Sequence, residues 1–137
     1  MLAGTTPVLV HNCGGGAPCT CESGDVVPYR PSHSGLENHH GILDVWAKHN
    51  VPGYTSRAAD STTVALTKAE HDATKAVYRD WLEARTGKRV GGKVDWATVS
   101  SREIFDLSER MFDAAGVSQV TRDAYYSEFT RYVYGLG

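Results

Sequence analysis

The 137-residue chain has no run of apolar residues long enough to cross a membrane. Its first ten residues, Met1 to Val10, lack the basic start and hydrophobic centre of a signal peptide. Cysteine is scarce. Cys13, Cys19 and Cys21 all fall in the glycine-rich head, and an odd count clustered there is no disulfide framework, so free thiols are expected. A large excess of charge is missing too, with a formal net charge of −2, so bulk positive charge does not drive binding to nucleic acid. Nor is there an internal repeat.

What the chain has is enough for one compact domain: 41% of its residues are hydrophobic. The charge is uneven. From Thr67 to Lys93 seven Lys and Arg face four acids, a local surplus that most simply marks a solvated helix face. Residues 13–34 are rich in Gly, Pro, Ser and Cys without periodicity, which predicts a flexible linker, with the ordered domain over 35–137.

Within that domain the pattern predicts a mainly α fold with a small β element. A short helix is expected over Ile42–His49 with Val45 and Trp46 inward. The β-branched run Thr62-Thr63-Val64-Ala65-Leu66 reads as a strand. Thr67-Lys68-Ala69-Glu70 has capping-box spacing, and a helix should run to Thr86, burying Ala73, Val77, Trp81 and Ala84 and stopping at Gly87. Ser100 caps the next helix, whose stripe is Ile104, Leu107, Met111 and Ala115. The last begins near Thr121 and buries Tyr125, Phe129 and Tyr132 or Val133; helical spacing makes these aromatics core rather than a base-stacking platform.

Two places carry chemistry. The first is the head. His11-Asn12-Cys13 follows the apolar run Val8-Leu9-Val10. An Asn amide can attack its own carbonyl, a neighbouring His can protonate the departing amine, and a thiol next in line can take part in acyl shift. The run Ala3 to Cys13 resembles the C-terminal end of the intein-like Hint domains of actinobacterial polymorphic toxins. That resemblance implies that residues 1–12 are a remnant of a self-cleaving domain and that the rest is its payload. Such payloads are secreted at the end of a larger toxin, act in the cytoplasm of a competitor, and are countered by an immunity protein.

The second place is the adjacent pair His39-His40, followed by the strand and by His71 in the first turn of the capped helix. A ββα-metal nuclease needs this set: imidazoles to hold a divalent cation, and one imidazole kept off it to take a proton from water. A helix N-terminus also favours phosphate. Lys75 and Arg79, one and two turns on, are placed to contact it.

Residues 35–82, carrying Leu36-Glu37-Asn38-His39-His40-Gly41, Thr63 to Leu66, His71 and Tyr78 to Trp81, resemble the HNH/endonuclease VII superfamily of toxin nucleases. The resemblance implies a ββα-metal core completed by C-terminal helices. By its pattern His39 and His71 are metal ligands and His40 the general base, with Glu37 a further ligand or the residue that orients His39. The chain departs where the fullest form has another His or Asn a turn after the helix ligand; Thr74 and Lys75 stand there. With water and phosphate completing the shell, Mg²⁺ or Mn²⁺ suits the site as well as Zn²⁺. The implied substrate is DNA rather than RNA, since the superfamily mostly cuts DNA, and the implied state is a monomer.

Three other readings stay open or fall. A zinc deaminase needs His-x-Glu and Pro-Cys-x-x-Cys, and the chain offers Pro18-Cys19-Thr20-Cys21 instead. A metal-free RNase using His39, His40 and Lys75 remains, as does a helical interaction module whose histidines only pack. His33 is a reserve ligand at best, His49 reads as a surface residue, and Cys-x-Cys spacing is poor for zinc.

Overall fold

The structure, a computed structural model, describes residues 21–136. The junction residues His11, Asn12 and Cys13 lie outside them. Three short strands form one antiparallel sheet in the order β1-β3-β2: β1 is Val26–Pro28, β2 Glu37–His39 and β3 Thr62–Leu66. Four helices accompany it: α1 Asp44–Asn50, α2 Lys68–Thr86, α3 Ser101–Ala115 and α4 Gln119–Gly135.

β1 corrects the expected linker. Val26 and Val27 are buried and pair with Val64 and Thr63, so the folded unit includes residues well before Gly35. Apolar burial and a backbone ladder outweigh the glycine- and proline-rich setting. Cys21 is disulfide-bonded, which corrects the free thiol expected there.

β3 is the central strand and all five of its residues are buried. Val64 and Leu66 enter the main core, while Ala65 packs with Val27, Cys21 and Leu36 on the other side. That two-sided burial explains why its sequence is a continuous β-branched run rather than an alternation.

α2 begins as expected. Thr67 Oγ1 accepts from the Glu70 backbone N–H at 3.2 Å, and Glu70 Oε1 accepts from the Thr67 N–H at 2.8 Å. Gly87 ends the helix at φ 83°, a conformation cheap only for glycine. Thr67→Ala should cost about 1 kcal/mol, read as a lower denaturation midpoint with an unchanged slope. The buried face differs in part from expectation: Thr74, Trp81 and Leu82 are buried, and Ala84 points outward. Trp81 stacks on Trp96 of a short 3-10 helix, Trp96–Thr98, with ring centroids 5.7 Å apart, and this contact turns the face.

α3 buries the expected stripe together with Phe112, and packs along α2. Its N-cap is Ser100, but Glu103 turns away to accept from Trp81 Nε1 and Arg85 Nη1. α4 contributes Tyr125, which is fully buried and whose hydroxyl accepts from the Ile42 backbone N–H at 2.8 Å. Phe129, Tyr132 and Val133 pack at the core's margin or stay half-buried. The C-terminal helices therefore lie directly beneath the segment that follows the histidine pair.

Candidate active site

β2, β3 and α2 form a ββα unit, with β2 and β3 joined by a loop that contains α1. The register pairs Glu37 with Leu66 and His39 with Val64, so both face the core side of the sheet beside α2. Asn38 points the other way and donates to the Tyr29 carbonyl at 2.8 Å.

His39 is buried, and its Nε2 has no hydrogen-bond partner among the described residues. Its ring meets Phe112 edge-on at 5.8 Å and lies 5.3 Å from the His71 ring. Burial, then the nearby His71 and His40, pushes its pKa down to about 3, so the imidazole is neutral at any physiological pH. A buried nitrogen without a partner is costly unless something is meant to fill it.

His71 is held by Glu37. Its Nδ1 donates to Glu37 Oε1 at 2.6 Å, and that bond keeps the Glu37 carboxyl below its ordinary range. The sequence reading had Glu37 orienting His39 or ligating. The structure corrects the partner: neighbours on one strand face lie side by side, and Glu37 reaches across to α2. That bond engages Nδ1 and leaves Nε2 as the ring nitrogen that Glu37 does not hold.

His40 sits at the turn after β2. Its Nε2 lies 3.0 Å from Ser61 Oγ and 3.7 Å from Asp44 Oδ1. Ser61 is fully buried and its hydroxyl donates to the Ala58 carbonyl at 2.7 Å. Its oxygen can therefore only accept from His40, which fixes the proton on His40 Nε2 and leaves Nδ1 basic. Burial lowers the His40 pKa, with Asp44 opposing and Arg57 and Arg30 reinforcing the shift.

Asp44, one helical turn after His40, was not singled out from sequence. It accepts from Tyr54 Oη at 2.8 Å, Ser56 Oγ at 2.6 Å and the Arg57 N–H at 3.0 Å. Burial works against its charge, but these bonds hold its carboxyl below the ordinary value of 3.8. A depressed folded pKa means a contribution complete above the ordinary range and lost as pH falls through the folded value. Asp44→Asn should destabilise the protein by about 1–3 kcal/mol at neutral pH. It should also flatten the loss of stability below pH ~4, measured by denaturant melts across pH.

His39, His40 and His71 line one cleft of about 380 Å³ with Lys75, Tyr29, Asp44 and Arg57. Lys75 lines this cleft from α2. Arg79 is exposed and, like His33, does not line this cleft; His49 is exposed and bonds back to the Val45 carbonyl. The residues that sequence reasoning missed (Asp44, Ser61 and Arg57) come from α1 and from the loop that returns to β3. The four-residue spacing of His40 and Asp44 was the one signal available.

A sequence model for toxins of the HNH/Endo VII superfamily with a SHH signature, Tox-SHH, matches residues 33–134. The chain belongs to the Tox-SHH family. The matched span covers three quarters of the chain and takes in β2, β3 and all of α1 to α3, with nearly all of α4. β1 lies upstream of it and is still part of the sheet. Membership makes this domain a toxin of a nuclease superfamily, and the small antiparallel sheet with four helices is consistent with an HNH/Endo VII-like fold. No solved structure matches the chain.

Superfamily nucleases generally use a divalent metal. Among the described residues no three His, Cys, Asp or Glu side chains converge as a ready cage. The donor set nevertheless fits a cation held by two imidazoles: His39 with its orphaned Nε2, and His71 with its Nδ1 held by Glu37.

Proposed function

We propose that this Tox-SHH domain is a metal-dependent endonuclease that hydrolyses phosphodiester bonds of DNA in competitor cells. The observation that carries the reading is the buried, partnerless Nε2 of His39 beside a His71 locked by a carboxylate, in the cleft that also holds His40. A bound Mg²⁺, Mn²⁺ or Zn²⁺ would supply charge stabilisation at the scissile phosphate.

The chain's own residues do the rest. His39 and His71 would hold the cation through their ring nitrogens, and binding would displace any proton from them. His40, anchored through Nε2–H on Ser61 and Asp44, takes the water proton on Nδ1. The water oxygen bonds to phosphorus as the bond to the leaving oxygen breaks, and that oxygen is protonated from solvent. Lys75 supports the phosphate from α2. Arg79 would contact the strand only outside the cleft.

Glu37 is a positioning residue in this account. Glu37→Gln should weaken Mn²⁺ binding by about 10–100-fold in calorimetric titrations, with the fold intact; unchanged affinity would remove Glu37 from the account. Residues 1–12 are assigned as the remnant of a Hint domain, His11-Asn12-Cys13 marking its junction. An immunity protein is the expected partner, and secretion within a larger toxin the expected route.

The reading is tested by offering the protein supercoiled plasmid and total RNA in parallel under Mg²⁺ or Mn²⁺. Nicked or linear plasmid with spared RNA supports it. Degraded RNA with intact plasmid, persisting in EDTA, would instead favour a metal-free RNase using His39, His40 and Lys75.

A further inference from the structure

The loop from Val51 to Ser61, between α1 and β3, contains the one non-glycine residue with a left-handed backbone among the described residues, Arg57 at φ 60°. An L side chain disfavours that conformation, and it persists only where the surroundings impose it. Here they do. The Arg57 N–H is tied to Asp44 Oδ1, and Ser56 Oγ, one residue earlier, is tied to Asp44 Oδ2. Glycine or asparagine is the ordinary choice at such a position. An arginine there points to a use for its side chain.

The side chain lines the cleft that holds His40, His39 and His71. Its charge acts on His40, together with Arg30, Asp44 and His71. Unlike Arg30, Arg85, Arg89 and Arg122, whose guanidinium groups are engaged by hydrogen bonds to neighbouring side chains, that of Arg57 has no hydrogen bond or ion pair to any described side chain. Asp44 spends Oδ1 on the Arg57 backbone and on Tyr54. Lys75 lines the same cleft from α2.

We infer that Arg57 is a catalytic residue: its guanidinium takes a non-bridging oxygen of the scissile phosphate, in the cleft shared with Lys75 and the base His40. This rests on the nuclease reading and adds to it a residue from the loop between α1 and β3. A forked, permanently charged donor suits the phosphate and the charge that grows on it as water attacks. Asp44 then has two duties. It anchors His40 and it holds the disfavoured backbone that aims Arg57.

The test compares wild type with Arg57→Gly, Arg57→Ala and Arg57→Lys. Arg57→Gly relieves the backbone while removing the donor, so its melting temperature should equal or exceed that of wild type, while kcat for plasmid cleavage falls about 10²–10³-fold. Arg57→Lys should recover part of that loss, because charge returns without the fork. The second readout needs no cleavage: binding of a 20-base-pair duplex in EDTA at low salt should weaken several-fold in Arg57→Gly. Arg57→Gly that cleaves within threefold of an active wild type overturns the inference and leaves the nuclease reading standing. If wild type itself cuts neither DNA nor RNA, the nuclease reading fails, and the inference falls with it. Undiminished duplex binding by Arg57→Gly would also overturn it.

Discussion

His40→Ala is expected to lower the rate of DNA cleavage by about 10²–10⁴-fold while the protein stays folded and still binds Mn²⁺. The expectation comes from the division of labour within the histidine pair. His39 points into the core beside His71, and its unpartnered nitrogen is the proposed ligand atom. His40, the next residue, faces the cleft with its Nε2 proton already committed to Ser61. Only its Nδ1 is available, and only for a proton. Removing the ring takes away the base and leaves both proposed ligands in place. The stability cost should stay near 1 kcal/mol, since what is lost is one hydrogen bond and a tilted contact with Tyr29 at 4.7 Å. His39→Ala and His71→Ala should separate from it by abolishing metal binding along with cleavage. If His40→Ala cleaves as fast as wild type, the base is elsewhere.

The second large effect falls on a residue with no side chain. A Cβ on Gly41 would come within 2.6 Å of Phe112 Cζ and 2.8 Å of Tyr125 Cε2. Both rings are fully buried and stack edge-to-face on each other at 5.6 Å, so neither can swing into solvent. Gly41→Ala should therefore cost about 1–3 kcal/mol in overpacking. Because Gly41 follows His40 directly, the relief that is easiest, lifting the backbone off α3 and α4, moves the base. Cleavage should fall at least tenfold even where the protein remains folded, since small displacements at a reacting centre are costly. Phe112→Ala makes the control. It relieves the Phe112 part of the clash, leaving that with Tyr125, but removes a core ring, so it should cost about 3–5 kcal/mol alone. Combining it with Gly41→Ala should cost less than the sum of the two. Strict additivity would show that the clash is not with Phe112.

How much of this could be read from the sequence divides along a physical line. Where a signal is local, it was legible: Thr67 with Glu70, Ser100 as a cap, Gly87 as a stop, and the stripe from Ile104 to Ala115 each lie within a few turns of chain. The three-residue strands were not legible. Val26–Pro28 is too short to alternate, and Glu37–His39 is polar because its residues serve the site rather than the sheet. The outward turn of Ala84 was hidden for a related reason, since the stacking of Trp81 on Trp96 joins residues fifteen apart.

The site follows the same rule. Adjacency exposed His39 and His40, and the capped helix exposed His71. Ser61, Asp44 and Arg57 become partners of His40 only when the loop after α1 folds back toward β3, and no short-range pattern encodes that return. Glu37 was found but given the wrong neighbour, because a strand puts residues two apart on one face without letting them meet.

In the proposed mechanism two imidazoles hold a cation and a third, kept off it, takes the water proton, so DNA cleavage should depend on a cation. Supercoiled plasmid incubated with purified protein in Mg²⁺, Mn²⁺, Zn²⁺ or EDTA, with His40→Ala alongside, tests it most directly. The account predicts nicking or cutting with at least one cation, abolished by EDTA and by His40→Ala. Intact plasmid in every lane, or cutting that EDTA and His40→Ala leave untouched, would contradict it.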